Sequence, residues 1–406
     1  MLPLNGIRVI DLSRALAGPY CTALLADMGA EVIKIETISG GDSSRAWPPF
    51  QGENSLYFDS TNRSKKSISM DLYSVEGKEL LDQLLAGADA LVENFKLGTM
   101  EKMGLGPDRL REINPNLVVS SITGYGMAGP WKDRAGLDQV IQAVSGLTSV
   151  TGKNAEETYR VGIPLVDITT GMTAAFALVS ALYSRLNGNA ATRVSTSLFE
   201  TALGLSVFQG QTALSLDRAP EPQGNNHPTI APYGSFATGT ENIVIAVASE
   251  AQWKAFCSVL ERPDFINDVR FATGKDRSIN REVLNECILE VLATRPAGEW
   301  IETINAQGIP CGPVLNYLQA LNSDQARALH LTSQMRRADG SELRIMRGPI
   351  SIDQQPTPIR NAPPALGEHS REILDSMGLN AEQIEVLIAE GIIREPKILI
   401  ESGAAR

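Results

Sequence analysis

The stretch GIRVIDLSRALAGPYCTALLADMGAEVIKIE, residues 6–36, carries the pattern that decides the fold. IRVIDLS is a short β-rich run that reads as a buried strand. GPYCTALLADMGA follows with Leu24, Leu25 and Met28 at helical spacing, and EVIKIET is a second strand. The same alternation continues outward. SVEGKELLDQLLAGA (74–88) is helical, DALVENF (89–95) is strand-like, and after a short helical stretch NLVVSSITG (116–124) is strand-like again. This order predicts an α/β fold, a doubly wound parallel sheet with helices on both faces. Ligands on such sheets bind beyond the carboxyl ends of the strands. Those ends are SRALAG (13–18), ETISGGD (36–42), ENFKLG (93–98) and TGYGMAG (123–129).

From Asp167 to about Leu214 the pattern is mostly helical, broken by NGNAATRVST (187–196). DRAPEPQGNNHPTIAP (217–232) is polar and Pro-containing and reads as a linker. YGSFATGTENIVIAV (233–247) resembles a hairpin. Helical runs at 253–260, 281–293 and 298–306 follow, which predicts a smaller α+β domain closed by GIPCGPV (308–314). The tail GLNAEQIEVLIAEGII (378–393) is an amphipathic helix with Asn380 as its cap.

At 406 residues, 43% hydrophobic and 20% charged, the chain has the composition of a soluble globular protein. A net charge of -11 argues against a nucleic-acid partner, since phosphate backbones want a basic surface. Cys21, Cys257, Cys287 and Cys311 are scattered without a CxxC pair, as in a reducing compartment. His227, His330 and His369 lie far apart, so no metal site is expected. MLPLNGIRVIDLS has no basic or apolar leader pattern, and no apolar run is read as long enough to span a membrane. These features predict a cytoplasmic protein without a membrane partner.

GYGMAG (124–129) matches G-x-G-x-x-G and follows a strand, but Pro130 and WKDR stand where a pyrophosphate-binding helix should begin. It reads as a plain Gly-rich loop. GLTSVTGK (146–153) has one residue too many between its glycines for a P-loop, and neither G-x-S-x-G nor HExxH occurs. PLVDITTGMTAAFALVSALYS (164–184) is the unusual segment: an apolar helix with one charged residue, Asp167, at its front. That acid can cap the helix, accepting a backbone N–H at the positive end of the dipole. It can equally be a carboxylate kept ionised by the helix end and free to attack an activated carbonyl. The segment alone allows both.

The 6–36 stretch resembles the N-terminus of the family III CoA-transferases, the group that includes formyl-CoA transferase and carnitine CoA-transferase. GGDSSR (40–45), NRSKKSISMDL (62–72), LVENFKLGTMEKMGLG (91–106), GLDQVIQAVSG (136–146), PLVDITTG (164–171), GIPCGPV (308–314) and LGEHSREILDSMGL (366–379) fall in that family's order. The resemblance implies that Asp167, in the D-x-x-T-G stretch, is the nucleophile. It would pass through an acyl anhydride and then an aspartyl-CoA thioester, with helix-start N–H groups as suitable oxyanion donors. Asp138 in GLDQ matches an acidic position of formyl-CoA transferase, as a second acid or a solvated helix cap. Implied CoA contacts are Arg14, Leu16, Ala17, Thr37, Met70, Asp71, Leu72, Tyr73, Asn94, Phe95, Lys96, Lys102 and Arg134. Lys and Arg suit phosphates as charge-assisted donors. Thr37 stands where formyl-CoA transferase has Arg, and EPQGNNHPTIAPYG (221–234) lacks that enzyme's Gly-rich covering loop.

The resemblance further implies a large domain of 1–215 and 330–406, a small α+β domain of 216–329 and an intertwined homodimer. No cofactor is implied; acyl-CoA and a carboxylic acid are substrates. Two other functions compete. The related α-methylacyl-CoA racemases are isomerases with a His in GHD where this chain has Leu137, and proton abstraction needs a base on each face. A non-catalytic CoA-binding protein is the other.

Overall fold

Six parallel strands form the main sheet of the protein, a computed structural model that describes residues 1–190 and 193–396. They are β1 (Arg8–Asp11), β2 (Glu31–Thr37), β3 (Lys66–Met70), β4 (Ala90–Glu93), β5 (Val118–Thr123) and β6 (Arg193–Ser197). A two-residue strand, β7 (Ile393–Arg394), adds antiparallel at the edge, giving the order β6-β5-β4-β1-β2-β3-β7. The chain begins in the middle, winds outward to β3, then crosses to β4 and winds the other way. Register is direct: Val9 pairs with Val32 and with Ala90, and Ile10 with Ile33 and Leu91.

Side chains alternate between the two faces, as the pleat requires. Ile10, Ile33, Ile35, Ile68, Leu91 and Val119 face one core, which the helices Val75–Ala86, Pro107–Ile113, Ser370–Ser376 and Ala381–Ala389 close. Val9, Val32, Ala90, Val92, Val118 and Ile122 face the other. That second face is covered by α1 (Ala17–Asp27) and the long helix α4 (Leu165–Leu186). Two further helices matter below, α2 (Leu56–Asn62) and α3 (Asp138–Val144). The tail helix starts as expected: Asn380 and Gln383 form a reciprocal capping box.

The chain divides into two compact units. The first comprises Met1–Leu147, Val161–Gln211 and the chain from Asp324 onward; the second comprises Thr148–Arg160 and Thr212–Ser323. The segment 148–160, grouped by sequence with the large domain, belongs to the second unit. The reason is backbone bonding: the Gly224 N–H donates to the Gly152 carbonyl, at 3.0 Å. Within that unit the expected hairpin forms from Tyr233–Ala237 and Asn242–Ala246, and Cys311–Pro313 of GIPCGPV adds a third antiparallel strand. Trp253, Phe256, Leu284 and Trp300 fill its core, and the Trp300 indole N–H is satisfied by the Leu292 carbonyl, at 2.9 Å.

α4 corrects one sequence expectation. With 22 residues it is long and apolar enough, by length and composition, to cross a membrane. Val166, Thr170, Gly171, Ala174, Leu178, Ala181 and Leu182 of this helix are buried in the first unit. Met172, Phe176, Val179, Tyr183 and Leu186 are exposed along its opposite face.

Candidate active site

Strand order reverses between β1 and β4, and the crevice beyond the carboxyl ends of those two strands is the switch point where such sheets bind ligands. The structure clamps the backbone there. Asn94 at the end of β4 accepts the Arg14 N–H at 2.9 Å and donates to the Arg14 carbonyl at 2.8 Å. Ala15 takes a left-handed φ of 64° and its N–H donates to Asp42, at 3.0 Å. A non-glycine residue holds that conformation only when its surroundings fix it.

The fixing comes from ions buried beneath the loop. On the face of the sheet that carries Val9 and Val32, the strand ends substitute Asp11, Lys34 and Glu36 for apolar residues. Lys34 Nζ donates to the Ser13 carbonyl at 2.8 Å and pairs with Asp42 at 2.9 Å. Lys65 Nζ donates to Asp11 (3.0 Å), the Pro19 carbonyl (2.8 Å) and Asn62 (2.9 Å). Arg45 forks onto both oxygens of Glu36 at 2.7 Å. Burial works to raise the Asp11 carboxyl, but Lys65, Lys34 and the hydroxyls of Ser13 and Thr22 outweigh it and hold it far below the carboxylate range. Burial depresses Lys65 to about 8, against the pull of Asp11. Buried charges persist only when paired in this way. The pieces GGDSSR and NRSKKSISMDL thus supply Asp42, Arg45, Asn62 and Lys65, which sequence reasoning did not single out.

α1 leads from this loop to α4. A Cβ on Gly171 would lie 2.6 Å from the Ala17 carbonyl oxygen, so the two helices approach at a distance only glycine permits. One turn before Gly171 is Asp167. It is the third residue of α4 and not its cap; Pro164 occupies the cap position and makes no side-chain bond. Asp138, at the start of α3, does the capping: one carboxylate oxygen accepts the Val166 N–H at 2.8 Å and the Asp167 N–H at 3.3 Å. The other oxygen accepts from Gln142, at 2.6 Å. Asp138 therefore caps α4, not its own helix, and both of its carboxylate oxygens are engaged.

Two expectations change as a result. The N–H groups of Leu165 and Ile168 are bonded to the carbonyls of Ile163 and Pro164, so the first four donors of α4 are occupied and none remains for an oxyanion. The helix end also does not hold the Asp167 carboxyl in the ordinary carboxylate range. Burial, and then the neighbouring charge of Asp138, push its carboxyl up to about 7. Among the described residues none donates a hydrogen bond to that carboxyl. Tyr57 of α2 lies within electrostatic reach; burial raises its phenol, and Asp167 and Asp138 raise it further. Trp47 holds its ring edge-on at 5.0 Å. Nothing in the sequence pattern marks Tyr57.

The other residues implied by resemblance lie at or beyond the carboxyl ends of the parallel strands, with differing accessibility. Thr37 ends β2, and its hydroxyl donates to the Gly41 carbonyl, at 3.4 Å. Met70 and Leu72 are buried in the core and offer a ligand only backbone, as does Leu16. Ala17 packs into the second core. Asp71 accepts the Tyr73 N–H at 2.9 Å and leaves Tyr73 exposed. Phe95 packs on the first core with the Arg14 guanidinium 5.3 Å from its ring centre. Lys96 and Lys102, beyond β4, are exposed. Arg134, beyond β5, stacks on Trp131 at 4.9 Å.

Comparison with known proteins agrees with this architecture. Residues 4–370 match the model of CoA-transferase family III. An acyl-CoA transferase of Fusarium pseudograminearum is 38% identical over 96% of this chain and 88% of its own length. A succinate–glutarate CoA-transferase of Agrobacterium fabrum is 35% identical, over 92% of this chain and 95% of its own. A CAIB/BAIF family protein from Brucella suis superposes with a TM-score of 0.84 at 33% identity, covering 93% of this chain and 99% of that one. With a parallel sheet, a clamped loop at its switch point and a match along nearly its whole length, the chain belongs to CoA-transferase family III.

Proposed function

We propose that the protein moves CoA from an acyl-CoA thioester to a free dicarboxylic acid, with Asp167 as the covalent carrier. The ionised Asp167 carboxylate attacks the thioester carbonyl and expels CoA thiolate, leaving an acyl anhydride. The thiolate attacks the Asp167 carbonyl of that anhydride and releases the donor acid. The aspartyl-CoA thioester is then attacked by the acceptor carboxylate, freeing the thiolate, which takes the acceptor's acyl carbon and returns the Asp167 carboxylate. No net proton is consumed.

The observation that carries this reading is Asp167 itself: a carboxyl in the first turn of α4, raised to about 7 and without a hydrogen-bond donor among the described residues. A more basic carboxylate is a better nucleophile once ionised. The Gly171–Ala17 contact ties it to the β1–α1 loop. Arg14, Leu16, Ala17, Asn94, Phe95 and Lys96 would hold CoA there, the buried ones through backbone. Thr37, Met70 to Tyr73, Lys102 and Arg134 would complete the contacts. The dicarboxylate substrate class is supported by the name of the Agrobacterium fabrum relative. CoA enters as substrate, and the chemistry calls for no resident cofactor or metal.

An intertwined homodimer is part of the same proposal, supported by the exposed apolar stripe of α4. A cytoplasmic location is supported by four unpaired cysteines, of which burial pushes Cys257 up to about 12 and Cys311 up to about 11. Leu137, in place of the racemase histidine, can take no proton, and it is exposed.

Incubation with succinyl-CoA followed by peptide mass spectrometry tests the mechanism. A CoA-sized adduct is expected on the peptide containing Asp167, with transfer to glutarate when that acid is added. Asp167→Ala should still bind CoA while giving neither adduct nor turnover. Normal transfer by that variant would refute the proposal.

A further inference from the structure

We infer that Gln142 is a positioning residue for the nucleophile: it locks the Asp138 carboxylate against the first turn of α4 and so fixes both the direction and the electrostatic surroundings of Asp167. The inference rests on Asp167 being the attacking group.

Gln142 follows Asp138 by four residues on α3, so the two side chains share one face of that helix. Gln142 is fully buried, a costly place for a primary amide unless its polar atoms are paired. They are paired at both ends. Nε2 donates to the Asp138 Oδ2 at 2.6 Å, and Oε1 accepts the Val161 N–H at 2.8 Å. Nε2 also lies 3.5 Å from the Ile163 carbonyl. Gln142 thus joins three things: the segment entering α4 (Val161 and Ile163), the capping acid, and through that acid the N–H groups of Val166 and Asp167.

An apolar side chain at 142 would leave Asp138 free to turn toward solvent. The Val166 and Asp167 N–H groups would lose their acceptor, and the start of α4 would fray as uncapped helix ends do. The negative charge beside Asp167 would move off. The titratable groups facing Asp167 are Asp138 from α3 and Tyr57 from α2. Asp138 is the one whose position Gln142 controls. Losing it brings the Asp167 carboxyl down toward the ordinary range, though burial, the larger cause, keeps it raised.

The test uses Gln142→Met, Gln142→Glu and the exchange Asp138→Asn/Gln142→Glu. The exchange keeps the bonds between positions 138 and 142 and those to the Val161 and Val166 N–H groups, with one donor reversed, and gives up only the long bond to the Ile163 carbonyl. The amide placed at position 138 donates to the carboxylate placed at 142 and still accepts the Val166 N–H, while that carboxylate accepts the Val161 N–H. Two measurements are made on the full-length protein. One is labelling of Asp167 by a water-soluble carbodiimide, which consumes the protonated acid, followed across pH by peptide mass spectrometry. The other is kcat and KM for succinyl-CoA with glutarate. Gln142→Met is expected to lower the labelling midpoint by about half a pH unit or more. It should cut kcat by about tenfold or more while KM stays within about threefold. Gln142→Glu, which sets two carboxylates face to face, should lose kcat as well, and the exchange should recover most of it. A wild-type midpoint and kcat in Gln142→Met or Gln142→Glu would overturn the inference. So would an exchange variant no better than Gln142→Glu, a comparison that stands even where Gln142→Met does not fold. A wild-type protein without turnover would count against the transferase mechanism instead, and the labelling measurement, which needs no substrate, would still decide the role of Gln142.

Discussion

Replacing Asp167 with asparagine should make the protein more stable, by an amount that grows with pH. The carboxyl titrates at about 7 in the folded chain against an ordinary value of 3.8, because burial and then Asp138 disfavour its charged form. Well below pH 4 it is protonated in both folded and unfolded states, and its contribution to stability is fully present. As pH rises the unfolded chain gives up the proton first, so wild-type stability falls until the folded carboxyl also ionises, and then levels off. Between about pH 5 and about pH 7 the lag is about two pH units at about 1.4 kcal/mol each, an upper limit of about 3 kcal/mol. Partial solvent access to the carboxyl brings this to about 1–2 kcal/mol. The asparagine amide carries no such penalty and keeps nearly the same shape. Thermal unfolding of both proteins from about pH 5 to about pH 8.5 should show the variant's lead in Tm widening by about 1–3 °C, as the large unfolding entropy of a chain this long dictates. A lead that stays flat across this range, or a wild-type advantage at high pH, would refute the claim that the site withholds water and charge compensation from this carboxyl. Greater stability is what removal of a buried, uncompensated carboxyl gives.

Two other substitutions test the scaffold. Gly171→Ala places a methyl 2.6 Å from the Ala17 carbonyl, a backbone atom that can yield only by shifting α1. It is expected to cost about 1–3 kcal/mol in denaturant unfolding and to raise KM for acyl-CoA; no change in either would mean that the close approach is not what requires glycine. Lys65→Met leaves Asp11 buried without its ammonium partner and should cost about 3–5 kcal/mol. Adding Asp11→Asn to it should restore part of that loss, and a double variant no more stable than the single would refute the pairing.

Much of this architecture is legible in the chain. Strand and helix periods are local, so IRVIDLS, EVIKIET, DALVENF and NLVVSSITG identify themselves as strands, and their alternation with helices dictates a parallel sheet. The same alternation puts Thr37 at the end of one strand and Arg14, Asn94 and Phe95 beyond the ends of the two strands that flank the switch point. Asn380 announces a cap through Gln383, three residues on. The D-x-x-T-G stretch singles out Asp167 by resemblance, and the apolar run after it identifies a core helix.

The sequence by itself determined the layering of the sheet and the starts of several helices, and its family resemblance pointed to Asp167. Only the tertiary structure decided what that residue experiences. The cap of α4 comes from Asp138, on another helix and 28 residues back, and Gln142 holds it there through a contact with Val161. Lys65 meets Asp11 across 54 residues of chain, and Arg45 meets Glu36 beneath a loop that neither belongs to. The physical reason is one of range. Periodicity and capping chemistry act between neighbours along the chain and can be read in one dimension. Desolvation and charge coupling depend on every atom that surrounds a group in space, so the protonation of Asp167 is settled only when distant segments have packed around it.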